Sequence, residues 1–436
     1  MTPYFQFQQK LLSKLSSLSA PWTGTPVRLS GFHGDALPLL PILGKSALSG
    51  KTLWIVAGTI EKAHYLMQSI ETFRELFEDS FSLCFLPEEE VLPYEPESPP
   101  DFIRAERIHA LSRLSREPVD VVVTTFPAIV RKTLSPSLFK KIAWGLSVGE
   151  ISDREELAAS LIRLGFLRVS QVSAPAEFAV RGGLIDLYTP SHPEPVRLEW
   201  DDNLLSSIRS FDVNTQKSFS SLSRIDILPG AEWIPPEEKT LTEAGLEWLL
   251  QHQTSPLSPG IERFSAFFYP DACSPLEYTQ NPVLLIEDPS ALSHKKEEWS
   301  IRVREGWDAL SSEEKDFLPS PEQGFLFHSE DGFDRFESEY PSILLSPLAE
   351  DDSAFLARSP ESILPQNDSW LSRIPELLKN TTLLTIFRTR GQRDRFQDLL
   401  ANQEIPSQPI GDLSDLAARK DGLPGTVYTT IGDIGE

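Results

Sequence analysis

Several things that catalytic chemistry needs are scarce in this sequence. Its 436 residues include two cysteines, Cys84 and Cys273, too few and too far apart for a disulfide framework or a metal site. A reduced cytoplasmic compartment is the expectation they leave. The seven histidines are scattered, and His33 in Gly31-Phe32-His33-Gly34 is a lone histidine, more often structural than catalytic. No Ser/His/Asp, Cys/His or paired-carboxylate arrangement stands out, so no catalytic or metal residue is assigned. No apolar run approaches the roughly 20 residues of a membrane span. The amino-terminal stretch is interrupted by Gln6, Gln8, Gln9, Lys10 and Lys14, so it lacks the apolar core of a signal peptide. Positive charge is also short: 40 Lys and Arg against 64 Asp and Glu leave −24. That field repels nucleic acid, and weak binding of duplex DNA is expected.

A complete phosphate loop is missing too. Gly44-Lys45-Ser46 and Gly50-Lys51-Thr52 each look like the end of one, but the motif requires a further glycine six places before its lysine, where Leu39 and Lys45 stand. Gly50-Lys51-Thr52 also precedes an apolar run instead of following one, and reads as a loop entering a strand. Leu284-Leu285-Ile286-Glu287-Asp288 resembles a strand whose terminal acids hold a metal beside such a loop. With no loop to serve, a strand ending in solvated acids is the better reading, and no bound cofactor is expected.

What is present indicates three or four soluble domains. Phe5, Leu11, Leu12, Leu15 and Leu18 suggest an amphipathic opening helix. Thr52 to Ala57, Phe81 to Leu86 and Val119 to Thr125 read as strands, with helical periodicity over Ile60 to Phe77 and Ile103 to Leu114 between them and Pro127 opening another helix. Such alternation implies a parallel sheet with helices on its faces. From Lys141 to Val148 the pattern is strand-like, and Ser152-Asp153-Arg154-Glu155 reads as a capping box opening a helix to Leu164. Helices are expected over Leu241 to Gln251 and Lys295 to Leu310, with a strand from Pro282 to Glu287. The Ser/Pro/acid-rich stretch from Pro319 to Pro365 reads as a linker. A last piece runs Trp370 to Leu378 (helix), Thr382 to Phe387 (strand), Gly391 to Asn402 (helix) and Thr426 to Thr430 (strand). Arg388, Arg390, Arg393 and Arg395 there read as a solvated helix face, since Asp394 and Asp398 sit beside them.

The stretch from Gly165 to Pro229 carries the clearest signal. Glu177 to Val180 and Leu184 to Tyr188 are short β-prone runs split by Arg181-Gly182-Gly183, where glycine permits a tight reversal. Val196-Arg197-Leu198-Glu199-Trp200 alternates apolar and charged residues as a half-buried strand does, and Asp201-Asp202-Asn203 supplies a turn before Leu204 to Val213. Arg181, Arg197 and Glu199, with Arg168 at the edge, stand on the polar faces. Any one of them is ordinarily solvated surface, but together on one small sheet they suit bidentate recognition of a partner's carboxylates.

An ordered series of motifs carries a family resemblance. Phe85-Leu86-Pro87-Glu88-Glu89-Glu90-Val91-Leu92-Pro93-Tyr94-Glu95, Ala105-Glu106-Arg107-Ile108, Val122 to Thr125, Phe178 to Tyr188, Arg197 to Asp202, Ser210 to Gln216 and Pro259-Gly260-Ile261-Glu262 resemble the amino-terminal region of the bacterial transcription-repair coupling factors, Mfd. That region is similar to the excision-repair protein UvrB, and the resemblance implies a helicase-like α/β domain that has lost its nucleotide site. The expected fold is α/β: a degenerate helicase-like parallel sheet in two parts (1–136 and 232–345), an inserted α+β domain (137–231), and a small, truncated α/β domain (346–436). The resemblance implies UvrA as partner, with its docking residues at Arg168, Arg181, Arg197 and Glu199; the family's basic residue near Arg168 can sit one place earlier, where this chain has Leu167. It further implies that RNA polymerase and DNA are engaged through regions beyond this chain, where ATP and Mg would serve the family's translocase. The competing expectation is a nucleotide-driven helicase or a UvrB-type damage-binding subunit. The short Glu95 to Asp101 connection leaves no room for UvrB's DNA-clamping hairpin.

Overall fold

The computed structural model describes residues 3–19, 25–30, 34–77, 79–234, 260–264, 269, 271–318, 320–323, 339–346, 374–378, 383–387, 389–410 and 426–431. His33, Arg388, the helix expected over Leu241 to Gln251, the first residues of the helix expected from Trp370 and most of the expected linker lie outside the described residues.

Six strands make one parallel sheet: β1 (Val27–Ser30), β2 (Thr52–Ala57), β3 (Leu83–Leu86), β4 (Val121–Thr125), β13 (Pro282–Ile286) and β14 (Ser342–Ser346), in the order β1-β14-β13-β2-β4-β3. β2, β4 and β13 are almost unbroken apolar or β-branched runs because helices cover both faces of the sheet. Alternate residues serve opposite faces. Trp54, Val56, Val122, Leu284 and Ile286 face α3 (Asp101–Arg116) and α7 (Pro289–Ala309). Leu53, Ile55, Val121, Val123 and Leu285 face α1 (Pro3–Leu15) and α2 (Ile60–Leu76). Between β4 and β13 the chain passes through α4 (Phe126–Val130) and α5 (Pro136–Ile142) and then builds a separate unit before rejoining the sheet. Among the described residues no helix is long and apolar enough to cross a membrane.

That unit comprises β5 (Trp144–Ser147), α6 (Arg154–Arg163), β6 (Leu167–Arg168), β7 (Glu177–Arg181), β8 (Leu184–Leu187), β9 (Val196–Asp201), β10 (Leu204–Phe211), β11 (Ser218–Leu222) and β12 (Arg224–Ile227). β11-β10-β9-β8-β7-β6 form a sheet that is antiparallel except for the short β6–β7 pair, and β12 pairs with β5 as a separate ribbon. At the carboxyl end β15 (Leu383–Phe387), β16 (Ser407–Pro409) and β17 (Val427–Ile431) make a small parallel sheet with α8 (Arg390–Asn402), and Tyr428 and Ile410 pack into the core on the α2 side of the large sheet.

Three expectations need correcting. Lys141 and Ile142 end α5, a helix that Pro136 opens without losing a hydrogen bond, so the strand begins only at Trp144. Asp153, not Ser152, caps α6 by accepting from the Glu155 and Glu156 amides, while the Ser152 hydroxyl accepts from Trp200. Ser342–Ser346, inside the presumed linker, is a strand whose Ile343 and Leu345 are buried among β1, β13 and α1.

Where the inserted unit meets the large sheet, the backbones come so close that two glycines are required. The Gly230 amide donates to Leu164 at 2.8 Å, and a Cβ on Gly230 would sit 2.8 Å from the Gly165 carbonyl. Gly165 has φ +82°, and a Cβ there would press on Ala231. Just beyond, Glu232 accepts from the fully buried Arg107 of α3 at 2.8 Å, and Arg107 also donates to the Pro87 carbonyl. Arg131 pairs with Glu89 at 2.8 Å in the same pocket of charge. Desolvation opposes the Arg107 charge, but Glu232 and Glu89 outweigh it and the guanidinium stays charged. Truncating Arg107 to Ala therefore strands a buried carboxylate. Urea unfolding of this variant should show a loss of about 3 to 5 kcal/mol; a loss below about 1 kcal/mol would contradict the network's role in seating the insert.

Candidate functional site

The inserted sheet is built by a period of two. β7 and β8 reverse over Gly182-Gly183, Gly182 taking φ +54°, and Arg181 pairs with Leu184. Pairing then runs Ile185 with Leu198 and Asp186 with Arg197 between β8 and β9, and Leu198 with Ile208, Arg197 with Arg209 and Glu199 with Ser207 between β9 and β10. Because facing residues share a side of the sheet, Phe178, Ile185, Leu187, Val196, Leu198, Trp200 and Ile208 form one face. That face closes on Leu157 and Leu161 of α6 and on the β5–β12 ribbon. The other face carries Arg181, Leu184, Asp186, Arg197, Glu199, Ser207 and Arg209. Val172, Tyr188, Ala179 and Phe211 make a small apolar cluster at one end of it.

Arg181, Arg197 and Glu199 thus share one side of the sheet. Arg181 is exposed and donates through Nε and Nη2 to the Ser170 carbonyl. Arg197 is held differently. Its Nε and Nη2 grip both carboxylate oxygens of the fully buried Asp186 at 2.7 and 3.0 Å, and its guanidinium lies 4.9 Å above the Phe211 ring. Hydrogen bonding to Asp186 raises the Arg197 pKa and secures its charge. Glu199 accepts from Ser207 Oγ at 2.9 Å and from Arg209 Nη2.

Arg168 is placed otherwise than the sequence suggested. β6 runs parallel to β7 with Arg168 opposite Phe178 and Leu167 opposite Glu177. Phe178 belongs to the core face, so the exposed residue of β6 that sits on the arginine side is Leu167, and Arg168 lies on the opposite face. A slip of one residue moves a side chain to the other face, and a two-residue strand offers no alternation from which to read it. Asp186 and Arg209 were missed as well. Neither Leu184 to Leu187 nor Leu204 to Phe211 alternates cleanly, so the face of either residue is not legible from its run.

The positions that hold nucleotide in helicase-like sheets lie at the carboxyl ends of β2 and β13. Only Gly58 and Thr59 separate β2 from α2, and the Thr59 hydroxyl caps that helix by accepting from the Lys62 amide at 3.2 Å. Glu61 occupies the first turn, and Lys62 Nζ pairs with Glu287 Oε1 at 3.2 Å at the end of β13. The acids after β13 are therefore not simply solvated. Burial raises the Glu287 pKa against the pull of Lys62, and Asp288 caps α7 by accepting from the Ser290 and Ala291 amides. Gly50 and Lys51 lie at the opposite end of the sheet, leading into β2, where Thr52 Oγ1 donates to the Val119 carbonyl. Among the described residues no group of three or more metal-binding side chains is assembled.

The face of charges lies within a recognised module. Residues 145–233 match the family model of the UvrB interaction domain. Beyond that module the chain is similar to transcription-repair-coupling factors, which shows the resemblance carried by its motifs. It is 29% identical to that of Bacillus subtilis (strain 168) over 299 residues, covering 62% of this chain and 25% of the relative. It is 35% identical to that of Myxococcus xanthus over 160 residues, covering 35% and 13%, and 30% identical to that of Staphylococcus aureus (strain MSSA476) over 198 residues, covering 45% and 16%. The matches thus span a quarter or less of these relatives' length.

The two arginines are anchored to different extents, and loosening their anchors should affect stability differently. Arg181→Gln should change stability by no more than about 0.5 kcal/mol. Asp186→Asn, which loosens the grip on Arg197, should cost about 2 to 3 kcal/mol, less than a fully enclosed pair because Arg197 can rehydrate. Denaturant unfolding of both variants checks this; equal effects would contradict the different anchoring of the two side chains.

Proposed function

We propose that this chain is the UvrA-recruiting module of a transcription-repair coupling factor, acting in transcription-coupled nucleotide excision repair without nucleotide turnover of its own. The observation that carries the reading is the open face of the UvrB interaction domain, where Arg181, Arg197 and Glu199 stand on one side of a rigid sheet and apolar residues fill the other. Guanidinium groups held in place by a rigid sheet suit a partner that presents carboxylates. The family model, the similarity to coupling factors and the sheet geometry all support it. Arg168 is left out of this reading, because it lies on the other face of the sheet. RNA polymerase and DNA would be engaged by regions that the matched relatives possess and this chain does not align with.

UvrA binding, followed by calorimetry, should weaken at least about 30-fold when Arg181 is changed to Glu, the equivalent of roughly 2 kcal/mol for a desolvated charge pair. Thermal melting should stay at the wild-type value. Wild-type affinity in a normally melting variant would overturn the assignment. Charge reversal is better placed at Arg181 than at Arg197, because Arg197→Glu would set a second carboxylate against buried Asp186.

The competing reading, a nucleotide-driven helicase, is opposed by the two-residue connection before α2 and by the Lys62–Glu287 pair, which together leave no cradle of backbone amides for a triphosphate. Fluorescent ATP analogues should show no saturable binding up to millimolar concentration. Micromolar binding that Lys62→Ala abolishes would restore the helicase reading.

A further inference from the structure

Arg197 and Arg209 face one another across β9 and β10. Two like charges in directly opposed positions repel, and the sheet tolerates them because each guanidinium is held by a carboxylate one strand or one step away. Asp186 on β8 holds Arg197, and Glu199 on β9 holds Arg209. Glu199 is committed on both oxygens, one to Arg209 and one to Ser207 Oγ, so it points along the sheet and not away from it. Arg209, by contrast, is anchored through one terminal nitrogen, and its side chain remains 39% exposed. Arg181, Arg197 and Arg209 share this face with Glu177, Asp186, Glu199 and Asp201, and two of those acids, Asp186 and Glu199, are each engaged by an arginine. The exposed Leu204, opposite Asp201 on the same side, gives it an apolar shoulder.

Resting on the docking reading above, we propose that Arg209 is a further contact of the docking face, that it pairs with carboxylates of the same partner, and that Glu199 is a positioning residue which acts through Arg209. Paired guanidiniums fixed side by side fit a partner surface bearing two neighbouring acids. A lone exposed arginine would pay rotamer entropy to make one such pair, whereas Arg197 and Arg209 are already oriented by their strands and their acids. Glu199 facing an acidic partner directly would repel it; bound to Arg209, it stiffens the arginine that does the pairing.

The proposal predicts non-additivity. UvrA is titrated by calorimetry into the chain carrying Arg181→Glu, Arg209→Gln, Arg209→Lys, Glu199→Gln, or Glu199→Gln with Arg209→Gln, with each fold checked by thermal melting. Arg209→Gln should weaken binding at least tenfold, and Arg209→Lys, which keeps the charge but loses the fork, should recover only part of that loss. Glu199→Gln alone should weaken binding a few-fold, yet add nothing once Arg209 is Gln. If Arg181→Glu abolishes binding while Arg209→Gln binds as wild type, the docking face stands and Arg209 has no part in it. If Glu199→Gln weakens the Arg209→Gln variant further, Glu199 touches the partner itself and is not a positioning residue. If the wild-type chain shows no binding, the docking reading fails and this inference falls with it.

Discussion

Asp186 and Arg197 lie opposite each other on neighbouring strands, the carboxylate fully buried and the guanidinium capping it from the open side. A buried carboxylate without such a partner would cost several kcal/mol, so the pair fixes the register of β8 against β9. From that register the rest of the inserted domain follows. Leu187, Val196 and Leu198 must turn to the core beneath α6, and Arg181, Glu199 and Arg209 must turn to the other side. One ion pair thus separates a packing face from an open face in a sheet backed on one side by α6.

The large parallel sheet serves a different purpose. At the carboxyl ends of β2 and β13, Lys62 pairs with Glu287 and Thr59 and Asp288 cap helices. The sheet also supplies a rigid seat for the insert. Leu228 and Trp233, just after the inserted ribbon, are buried in its α3-side core, Arg116 of α3 pairs with Asp226 at 2.7 Å, and Arg107 grips Glu232. The insert is held to this body at both polar and apolar contacts, so a partner bound on the open face is held in a defined orientation to the remainder of the chain.

Much of this was legible in the sequence where a short-range pattern carried it. The apolar runs of β2, β4 and β13 and the Gly182-Gly183 reversal read directly, as did the alternation of Val196 to Trp200, which placed Arg197 and Glu199 on one face. Features that depend on chain separation did not. Glu89 and Arg107 are conspicuous in the motifs, yet only folding brings them to Glu232, far along the chain. Lys62 gives no sign of its attachment to Glu287. β14 was hidden because its apolar Ile343-Leu344-Leu345 is too short to outweigh flanking Ser and Pro. Leu167 and Arg168 exchanged places because β6 is too short to reveal its phase. Arg209 was passed over in a serine-rich strand whose alternation is broken by shifts in register after Leu205 and after Ser210.

One face of one sheet carries the proposed docking, and a structure of this chain bound to UvrA tests it most directly. The prediction is that UvrA covers the open side of β7 to β10, with its carboxylates within about 3 Å of the guanidinium nitrogens of Arg181 and Arg209, while Asp186 keeps its hold on Arg197. UvrA seated elsewhere on the chain, with this face left in solvent, would contradict it.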